Sequence, residues 1–226
     1  MLTVQSVEDG SLGDRASIKA GDRIVAINGQ TVRDVIDYQY LAAEERLDIE
    51  ALKPNGTSVR IRINKGDSET LGLVFPPIPV RRCRNKCIFC FVDQMPSGCR
   101  KSLYVKDDDY RASFLFGNYI TLGNLREEDW DRIISQRLSP LYLSVHSTEP
   151  DLRRFVLNNP HAPDILTAIR RLADGGIRMH TQIVLCPGVN DGAHLLRTVE
   201  ELASLFPAVQ SIAAVPVGLT SRRRGL

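Results

Sequence analysis

The sequence predicts an α/β protein in two parts, a small β-rich part followed by a larger part built on a parallel sheet. Up to about Phe75, tight-turn dipeptides separate short apolar runs, which is typical of antiparallel strands. A proline run over Phe75–Pro79 is incompatible with a helix interior or a central strand. Beyond it, apolar segments alternate with helical patterns, which favours a parallel sheet. We therefore predict a boundary that divides the chain into residues 1–75 and 76–226.

The elements of the first part follow from its apolar and turn residues. Asn28-Gly29 and Pro54-Asn55-Gly56 predict two tight turns. Asp34 is suited to cap a helix that runs to about Glu45, because a carboxylate can accept the first free N–H groups. Strands are predicted over Leu2–Val7, Arg23–Ile27, Asp48–Leu52 and Ser58–Ile63, with a short helical turn over Arg15–Lys19.

The second part reads as repeated strand–loop–helix units. Strands are predicted over Tyr119–Leu122, Leu141–Val145, Arg178–Leu185 and Val209–Val217, and helices near Arg126, near Asp151 and over Gly192–Leu205. In such folds the chemistry lies on loops at the carboxyl ends of the strands. The acidic run Asp107–Asp109 is interpreted as a solvated turn with local ion pairs.

Composition narrows the function classes. A formal net charge of +2 over 226 residues indicates neither a nucleic-acid nor an anionic-membrane partner. No apolar run approaches the roughly 20 residues that span a bilayer. The segment Met1–Gly10 does not have the pattern of a signal peptide. We therefore expect a cytoplasmic protein whose thiols stay reduced.

Three of the five cysteines lie within eight positions, in the run Cys83-Arg-Asn-Lys-Cys87-Ile-Phe-Cys90. Three thiolates on one loop can hold three irons of a 4Fe–4S cluster and leave the fourth iron open to an amino and carboxylate chelate. The neighbouring basic residues, among them Arg84 and Lys86, are expected to favour thiolates. A zinc site with Cys99 as the fourth ligand is the alternative.

This C-x3-C-x2-C spacing, with Phe89 before the last cysteine, resembles the signature of the radical S-adenosylmethionine superfamily. The resemblance implies that Cys83, Cys87 and Cys90 ligate a 4Fe–4S cluster. It also implies that S-adenosyl-L-methionine occupies the fourth iron and is reductively cleaved to a 5′-deoxyadenosyl radical. That radical would act on a substrate that the sequence does not identify, and no catalytic residue is assigned.

The stretch Cys87–Leu125 resembles a bacterial subfamily with an N-terminal PDZ-like domain, a radical core and a C-terminal domain of unknown function. The resemblance implies a (β/α)6 barrel that is partial here, truncated after the fifth strand, so that the chain is expected to be a fragment. Two positions depart from the subfamily pattern. Cys99 replaces an apolar residue and is interpreted as incidental, and Gly123 replaces a threonine.

Further cofactor-binding residues are predicted at the ends of the later strands. Gly123 and Asn124 occupy the place where the superfamily presents a backbone edge to the cofactor's amino group; a helix cap is the alternative there. Ser144 and His146 share one face of the third strand of the core, and Gln182 lies on the fourth. His146 could also be purely structural.

The run Ala20–Gln30 resembles the central motif of bacterial PDZ domains. Such domains bind peptides by adding a strand to a sheet edge, with a glycine-rich loop around the terminal carboxylate. Leu71-Gly72-Leu73 could supply that loop if the domain is circularly permuted. A peptide partner and a purely structural role both stay open.

The sequence thus predicts an iron–sulfur radical S-adenosylmethionine enzyme of the oxidoreductase type. An electron donor such as flavodoxin or ferredoxin is the expected partner. One alternative is a PDZ-like scaffold protein with a structural or redox-sensing cluster, and another is a zinc-binding adaptor.

Overall fold

The computed structural model describes residues 2–66 and 69–222 and divides into two units, Met1–Pro79 and Val80–Leu226. Within those residues the first unit contains strands β1 (Leu2–Thr3), β2 (Ser6–Val7), β3 (Arg23–Ile27), β4 (Gln30–Thr31), β5 (Arg46–Leu52), β6 (Ser58–Asn64) and β7 (Leu73–Val74), and helices α1 (Leu12–Arg15) and α2 (Val35–Leu41). The second unit contains strands β8 (Leu141–Ser144), β9 (Met179–Leu185) and β10 (Val209–Pro216), and helices α3 (Tyr110–Phe116), α4 (Glu127–Ser135), α5 (Pro150–Leu157), α6 (Ile165–Asp174) and α7 (Gly192–Ala203). Two 3-10 helices, Val92–Gln94 and Lys101–Tyr104, precede α3.

The first unit is built on an antiparallel sheet in the order β1-β3-β5-β6, with β4 paired to β3. Strand β5 alternates buried and half-buried side chains, as a strand with one face on a core does. Its inward residues Leu47, Ile49 and Ala51 join the unit's apolar core. The Asn28-Gly29 turn has positive φ at both residues and closes the hairpin of β3 and β4, as its sequence predicts.

Helix α2 begins after Asp34, whose carboxylate accepts the N–H groups of Ile36 and Asp37. It ends at Leu41, earlier than predicted. The predicted turn over Arg15–Lys19 is also displaced, because Ser11 caps a helix that ends at Arg15.

A second, two-stranded antiparallel sheet pairs β2 with β7. Gly72 precedes β7 with φ +64°, in the left-handed region that favours glycine. A Cβ atom there would lie 2.5 Å from the Cβ of Ser11. Tyr38 of α2 contacts Phe75 edge-on, with ring centroids 4.6 Å apart. The segment that follows residue 70 is therefore packed closely against α1 and α2.

The second unit contains a parallel sheet in the order β10-β9-β8. Leu141 lies opposite Met179 where β8 pairs with β9, and Pro216 lies opposite Leu185 where β10 pairs with β9. The core around this sheet combines strand and helix side chains that are fully buried. Leu143 and Ile183 come from β8 and β9, and Ile169 and Leu172 come from α6. The parallel arrangement expected from the strand–helix alternation is present, whereas the described strands do not establish a (β/α)6 barrel.

The strand predicted over Tyr119–Leu122 is reduced to a single parallel bridge between Ile120 and Leu143. The reason is local. The N–H of Thr121 donates to the carboxylate of Asp108 at 2.6 Å and not to a strand, and Leu122 turns away with φ +60°. Because successive N–H groups of a strand point to opposite edges, Leu122 is the next residue that would face β8, and its turn ends the ladder after one residue.

The acidic run Asp107–Asp109 is not a solvated turn. Asp108 and Asp109 are 3% and 0% exposed. Asp109 caps α3 by accepting the N–H of Arg111, whose guanidinium it also pairs with at 2.7 Å. The predicted local ion pair is present, but it is buried and begins a helix that the sequence pattern did not indicate.

Helix α4 carries Trp130, the single tryptophan of the chain. Its ring is 8% exposed and is covered by the guanidinium of Arg171 from α6, 4.7 Å from the ring centroid. Arg171 also pairs with Glu127 at 2.6 Å.

Among the helices of the described residues, none has the length and apolar character needed to cross a membrane.

Candidate active site

The three clustered cysteines open on one cavity of the second unit, with a volume of about 540 Å³. The loop that carries them is held by backbone hydrogen bonds. The N–H of Cys83 donates to the carbonyl of Lys106 at 2.8 Å. The N–H groups of Lys86 and Ile88, on either side of Cys87, donate to the last turn of α5. Packing on α5 therefore positions the middle of the loop.

Burial keeps two of these thiols protonated. It raises the pKa of Cys87 to about 12, and the neighbouring Cys83 and Cys90 thiols raise that pKa further. Burial also raises the pKa of Cys83. The cation that opposes these shifts is Lys106, and not the basic residues within the loop, of which Arg84 and Lys86 are exposed. The expectation that loop cations favour thiolates is therefore wrong for Cys83 and Cys87 in the metal-free protein, because burial raises the pKa of both.

The donor set is chemically suited to an iron–sulfur cluster. Three thiols of one loop share a cavity, and Cys83 and Cys90 both raise the pKa of Cys87. Cys99 and Cys186 do not line that cavity; Cys186 is buried in the loop after β9. Within residues 2–66 and 69–222, no group of three or more metal-ligating side chains is gathered as a preformed metal site. The thiols therefore meet at the cavity without forming a closed set of ligands.

Ser144 and His146, at the carboxyl end of β8, and Gln182, in the middle of β9, line the same cavity. The imidazole of His146 is 3% exposed, and its Nδ1 accepts the N–H of Val184 at 3.1 Å. Burial, followed by the charge of Arg153, lowers the pKa of His146 to about 3. The ring is therefore neutral near pH 7 and carries its proton on Nε2.

The backbone of His146 is also unusual, because its φ of +67° lies in the left-handed region that residues other than glycine rarely adopt. The side-chain amide of Asn190 donates to the His146 carbonyl at 2.8 Å and to that of Val184 at 3.0 Å. The ring contacts Phe89 with centroids 4.5 Å apart. The Asn190 amide thus fixes the backbone of His146, and Phe89 packs against its ring.

The structure does not bring Gly123 and Asn124 to the cavity. Gly123 is exposed, and the side-chain amide of Asn124 donates to the backbone carbonyl of Asp108 at 2.7 Å. Neither residue caps a helix, because α4 begins after Arg126. The cavity is reached instead by Thr121, one position before Leu122.

Thr121 belongs to a buried polar network that the sequence analysis missed. Its hydroxyl donates to Asp108 at 2.7 Å and accepts from the amide of Asn85, which lies between Cys83 and Cys87. The amide of Asn159 donates to Asn85 at 2.7 Å. Burial raises the pKa of Asp108 in spite of these hydrogen bonds. The only signal in the sequence was the polar character of residues whose partners lie far along the chain.

A fully buried arginine holds the strand ends together. The guanidinium of Arg153 donates to the backbone carbonyls of Val145, Pro163 and Thr121 at 3.2, 3.0 and 2.9 Å. Burial lowers its pKa to about 10, so the charge persists near pH 7. Arg153 therefore fixes the ends of two neighbouring segments that border the cavity.

Two family models match the chain. Residues 65–212 match the model of the radical SAM-like domain, and residues 3–65 match that of the PDZ domain. The first match covers more than half of the sequence, so the chain belongs to the radical SAM-like domain family. Its N-terminal region is PDZ-like.

Among solved structures, 24 chains match. One is a radical SAM methyltransferase from Sphaerobacter thermophilus, with 17% identity and a TM-score of 0.38. The alignment covers 78% of this chain and 64% of the methyltransferase, so the chain spans less than two thirds of that protein. A search of curated proteins found no match.

Proposed function

We propose that this protein is a radical S-adenosylmethionine enzyme whose cavity holds a 4Fe–4S cluster on Cys83, Cys87 and Cys90. One observation carries the proposal. The three cysteines share a cavity of about 540 Å³ with Ser144, His146 and Gln182. That volume lies within the range of roughly 300–1,000 Å³ typical of small-molecule sites. Membership in the radical SAM-like domain family supports the same chemistry.

When bound, the cluster would supply the single electron that cleaves S-adenosylmethionine to methionine and a 5′-deoxyadenosyl radical, which takes a hydrogen atom from the substrate. The electron comes from outside, from a one-electron donor of the flavodoxin or ferredoxin class. The thiols of Cys83, Cys87 and Cys90 must lose their protons to act as ligands. Because burial raises the pKa of two of them, assembly releases protons and is favoured by higher pH.

Other side chains of the cavity would bind and orient the cofactor. His146 offers a neutral Nε2–H donor, since its Nδ1 is occupied by Val184. The Ser144 hydroxyl and the Gln182 amide offer both donors and acceptors. These three groups suit the amino, carboxylate and ribose oxygen and nitrogen atoms of S-adenosylmethionine. The substrate and the group that acts on it are not assigned.

The wider architecture is part of the same proposal. We infer that the parallel sheet β8-β9-β10 and the bridge at Ile120 belong to a partial (β/α)6 barrel. The boundary between a PDZ-like domain of residues 1–75 and a radical core of residues 76–226 is likewise proposed. A peptide partner for the PDZ-like domain would add a strand to a sheet edge.

Anaerobic reconstitution with iron and sulfide tests the function. We expect a 4Fe–4S absorption and electron paramagnetic resonance spectrum, and release of 5′-deoxyadenosine that depends on S-adenosylmethionine and a reductant. Cys87→Ala should abolish both, because two thiols of the loop cannot hold the cluster. Cys99→Ala is the matched control and should retain both, since Cys99 does not line the cavity.

Three other outcomes would contradict the proposal. A cluster that never cleaves S-adenosylmethionine supports the scaffold or redox-sensing alternative. Stoichiometric zinc without iron supports the adaptor. Cleavage that survives in Cys87→Ala refutes the ligand assignment.

A further inference from the structure

One buried amide joins the cysteine loop to the segment that follows β10. The Gln94 side chain is 7% exposed. Its Nε2 lies 3.3 Å from the carbonyl oxygens of both Cys90 and Gly218, and 3.5 Å from that of Phe89. Its Oε1 accepts the N–H and the hydroxyl of Thr220 at 3.2 and 3.0 Å. Both ends of the amide are therefore engaged.

The contacts of Gln94 belong to two segments that line the cavity. Phe89 and Cys90 line it from the cysteine loop, and Gly218 lines it from the chain beyond β10. Gln94 itself ends the 3-10 helix that follows the third cysteine. A neutral amide is suited to this place because it donates through nitrogen and accepts through oxygen at once, which neither a carboxylate nor an alkyl group does.

The three cysteines are held in different ways. The backbone of Cys83 bonds to Lys106, and the residues on either side of Cys87 bond to α5. The N–H of Cys90 donates to the carbonyl of Cys87, and its own carbonyl receives the Gln94 amide. An effect of Gln94 should therefore fall on Cys90 and spare Cys83.

We propose that Gln94 is a positioning residue, which fixes the backbone of Cys90 against the segment that follows β10 and so sets where the third thiol meets the cavity. The inference rests on the proposed function only for the role of Cys90 as a cluster ligand. The placement of Cys90 by Gln94 can be measured in the metal-free chain.

The test compares the alkylation rates of Cys90 and Cys83 by iodoacetamide in the full metal-free chain, measured by mass spectrometry and referred to the rates in denaturant. Gln94→Met keeps the length of the side chain and removes its hydrogen bonds. Exposing Cys90 then requires breaking at least one hydrogen bond fewer, so its rate should rise about tenfold, the factor that corresponds to ~1.4 kcal/mol. The rate at Cys83 should stay within about twofold of the wild-type rate, a difference below roughly 0.5 kcal/mol.

Two further variants separate the donor from the acceptor. Gln94→Glu keeps the acceptors but loses the amide donors; because its negative charge disfavours the Cys90 thiolate, it should accelerate Cys90 less than Gln94→Met does. Thr220→Val keeps the donors to Cys90 and Gly218 and should leave Cys90 near the wild-type rate. In reconstituted protein, Gln94→Met should also change the electron paramagnetic resonance signal of the reduced cluster, whereas Thr220→Val should not.

An unchanged rate at Cys90 in Gln94→Met, or equal acceleration at Cys83 and Cys90, would overturn the inference. If the wild-type chain holds no cluster but Cys90 responds selectively, the proposed function fails and the positioning by Gln94 stands. If the wild-type chain cleaves S-adenosylmethionine but Cys90 does not respond, only the inference about Gln94 fails.

Discussion

Arg153 stabilises the second unit through backbone carbonyls, and no carboxylate of the described residues forms an ion pair with it. Its hydrogen-bond acceptors are backbone carbonyls at the ends of segments that border the cavity. Buried carbonyls that lose their donor have no water to replace it, which makes their loss costly. The same positive charge helps to keep His146 neutral. One buried side chain therefore affects both the stability and the electrostatics of the site.

Arg153→Met should lower the free energy of unfolding by about 3 kcal/mol or more, because several buried carbonyls lose their partners. Arg154→Met is the matched control on the same helix. Arg154 pairs with Asp151, whose side chain is 98% exposed, so its loss should cost no more than about 0.5 kcal/mol. Urea unfolding followed by circular dichroism measures both. Equal losses would show that the hydrogen bonds of Arg153 contribute no more to stability than an exposed ion pair does.

Tyr38 should make the stability of the first unit sensitive to alkaline pH. Burial, and then the charge of Glu8, raises its pKa from 10.0 to about 12. Tyr38 makes its full contribution to the free energy of unfolding below pH 10, where it is neutral in both the folded and the unfolded chain. That contribution is lost as the pH rises toward 12. Phenylalanine cannot ionise. Between pH 8 and 11, the free energy of unfolding of Tyr38→Phe should therefore fall by about 1 kcal/mol less than that of the wild type.

Hydrogen exchange of residues 2–66, measured by mass spectrometry at the two pH values and corrected for the intrinsic exchange rates, can follow this difference. The ring contact with Phe75 does not need the hydroxyl, so the variant should match the wild type near pH 8. A parallel decline of both proteins up to pH 11 would contradict the assignment to Tyr38.

At the scale of elements, the pairing of β2 with β7 depends on a glycine that no other residue replaces easily. Gly72 combines a left-handed backbone with a close approach to Ser11. The neighbouring helix α1 is tied to the same segment, because the N–H of Gly13 donates to the carbonyl of Leu71 at 3.0 Å. A side chain at Gly72 must therefore separate α1 from β7.

Gly72→Ala should destabilise the first unit by about 2–4 kcal/mol, through backbone strain of roughly 1 kcal/mol and overpacking. Gly10→Ala isolates the strain, since Gly10 also has a positive φ but a Cβ there would meet no atom of the described residues within 4 Å. That control should cost about 1 kcal/mol. Hydrogen exchange at β2 and β7 measures both variants, and equal protection in the two would rule out the steric contribution.

Sequence patterns predicted the elements whose partners are close in the chain or whose face is apolar. Strand β3 was predicted with its observed bounds because an apolar, β-branched run precedes the Asn28-Gly29 turn. The strand at Tyr119–Leu122 was predicted too long, because Leu122 turns away from β8 with φ +60°. Helix α3 was missed because its cap, Asp109, lies within an acidic run that resembles a solvated turn.

At the scale of the whole molecule, the predicted site residues divide according to how they were inferred. Strand alternation predicted that Ser144 and His146 share one face, and both line the cavity. Gly123 and Asn124 were assigned by resemblance, and the local turn directs them elsewhere. The network of Asp108, Thr121, Asn85 and Asn159 could not be predicted, because it requires knowing which distant segments meet. The metal and cofactor roles stay predictions.

Loading the site should stabilise the second unit as a whole. A group that binds the folded state but not the unfolded chain adds its binding free energy to stability. We expect hydrogen exchange to slow over the cysteine loop and the adjoining segments around Thr121 and β8 after anaerobic reconstitution. Oxidative removal of the cluster with a chelator should restore the metal-free pattern. Unchanged protection across these segments would argue against a cluster held by this cavity.

The burial of Trp130 beneath Arg171 gives the protein an internal fluorescent probe. Since the chain contains one tryptophan, indole emission arises from a single environment in the second unit, and the first unit contributes none. Exposure of the ring to water shifts that emission to longer wavelength. A coloured iron–sulfur chromophore in the same unit would accept energy from the indole and dim it. The intensity and colour of one emission band can therefore distinguish a folded empty unit, a folded loaded unit and an unfolded one.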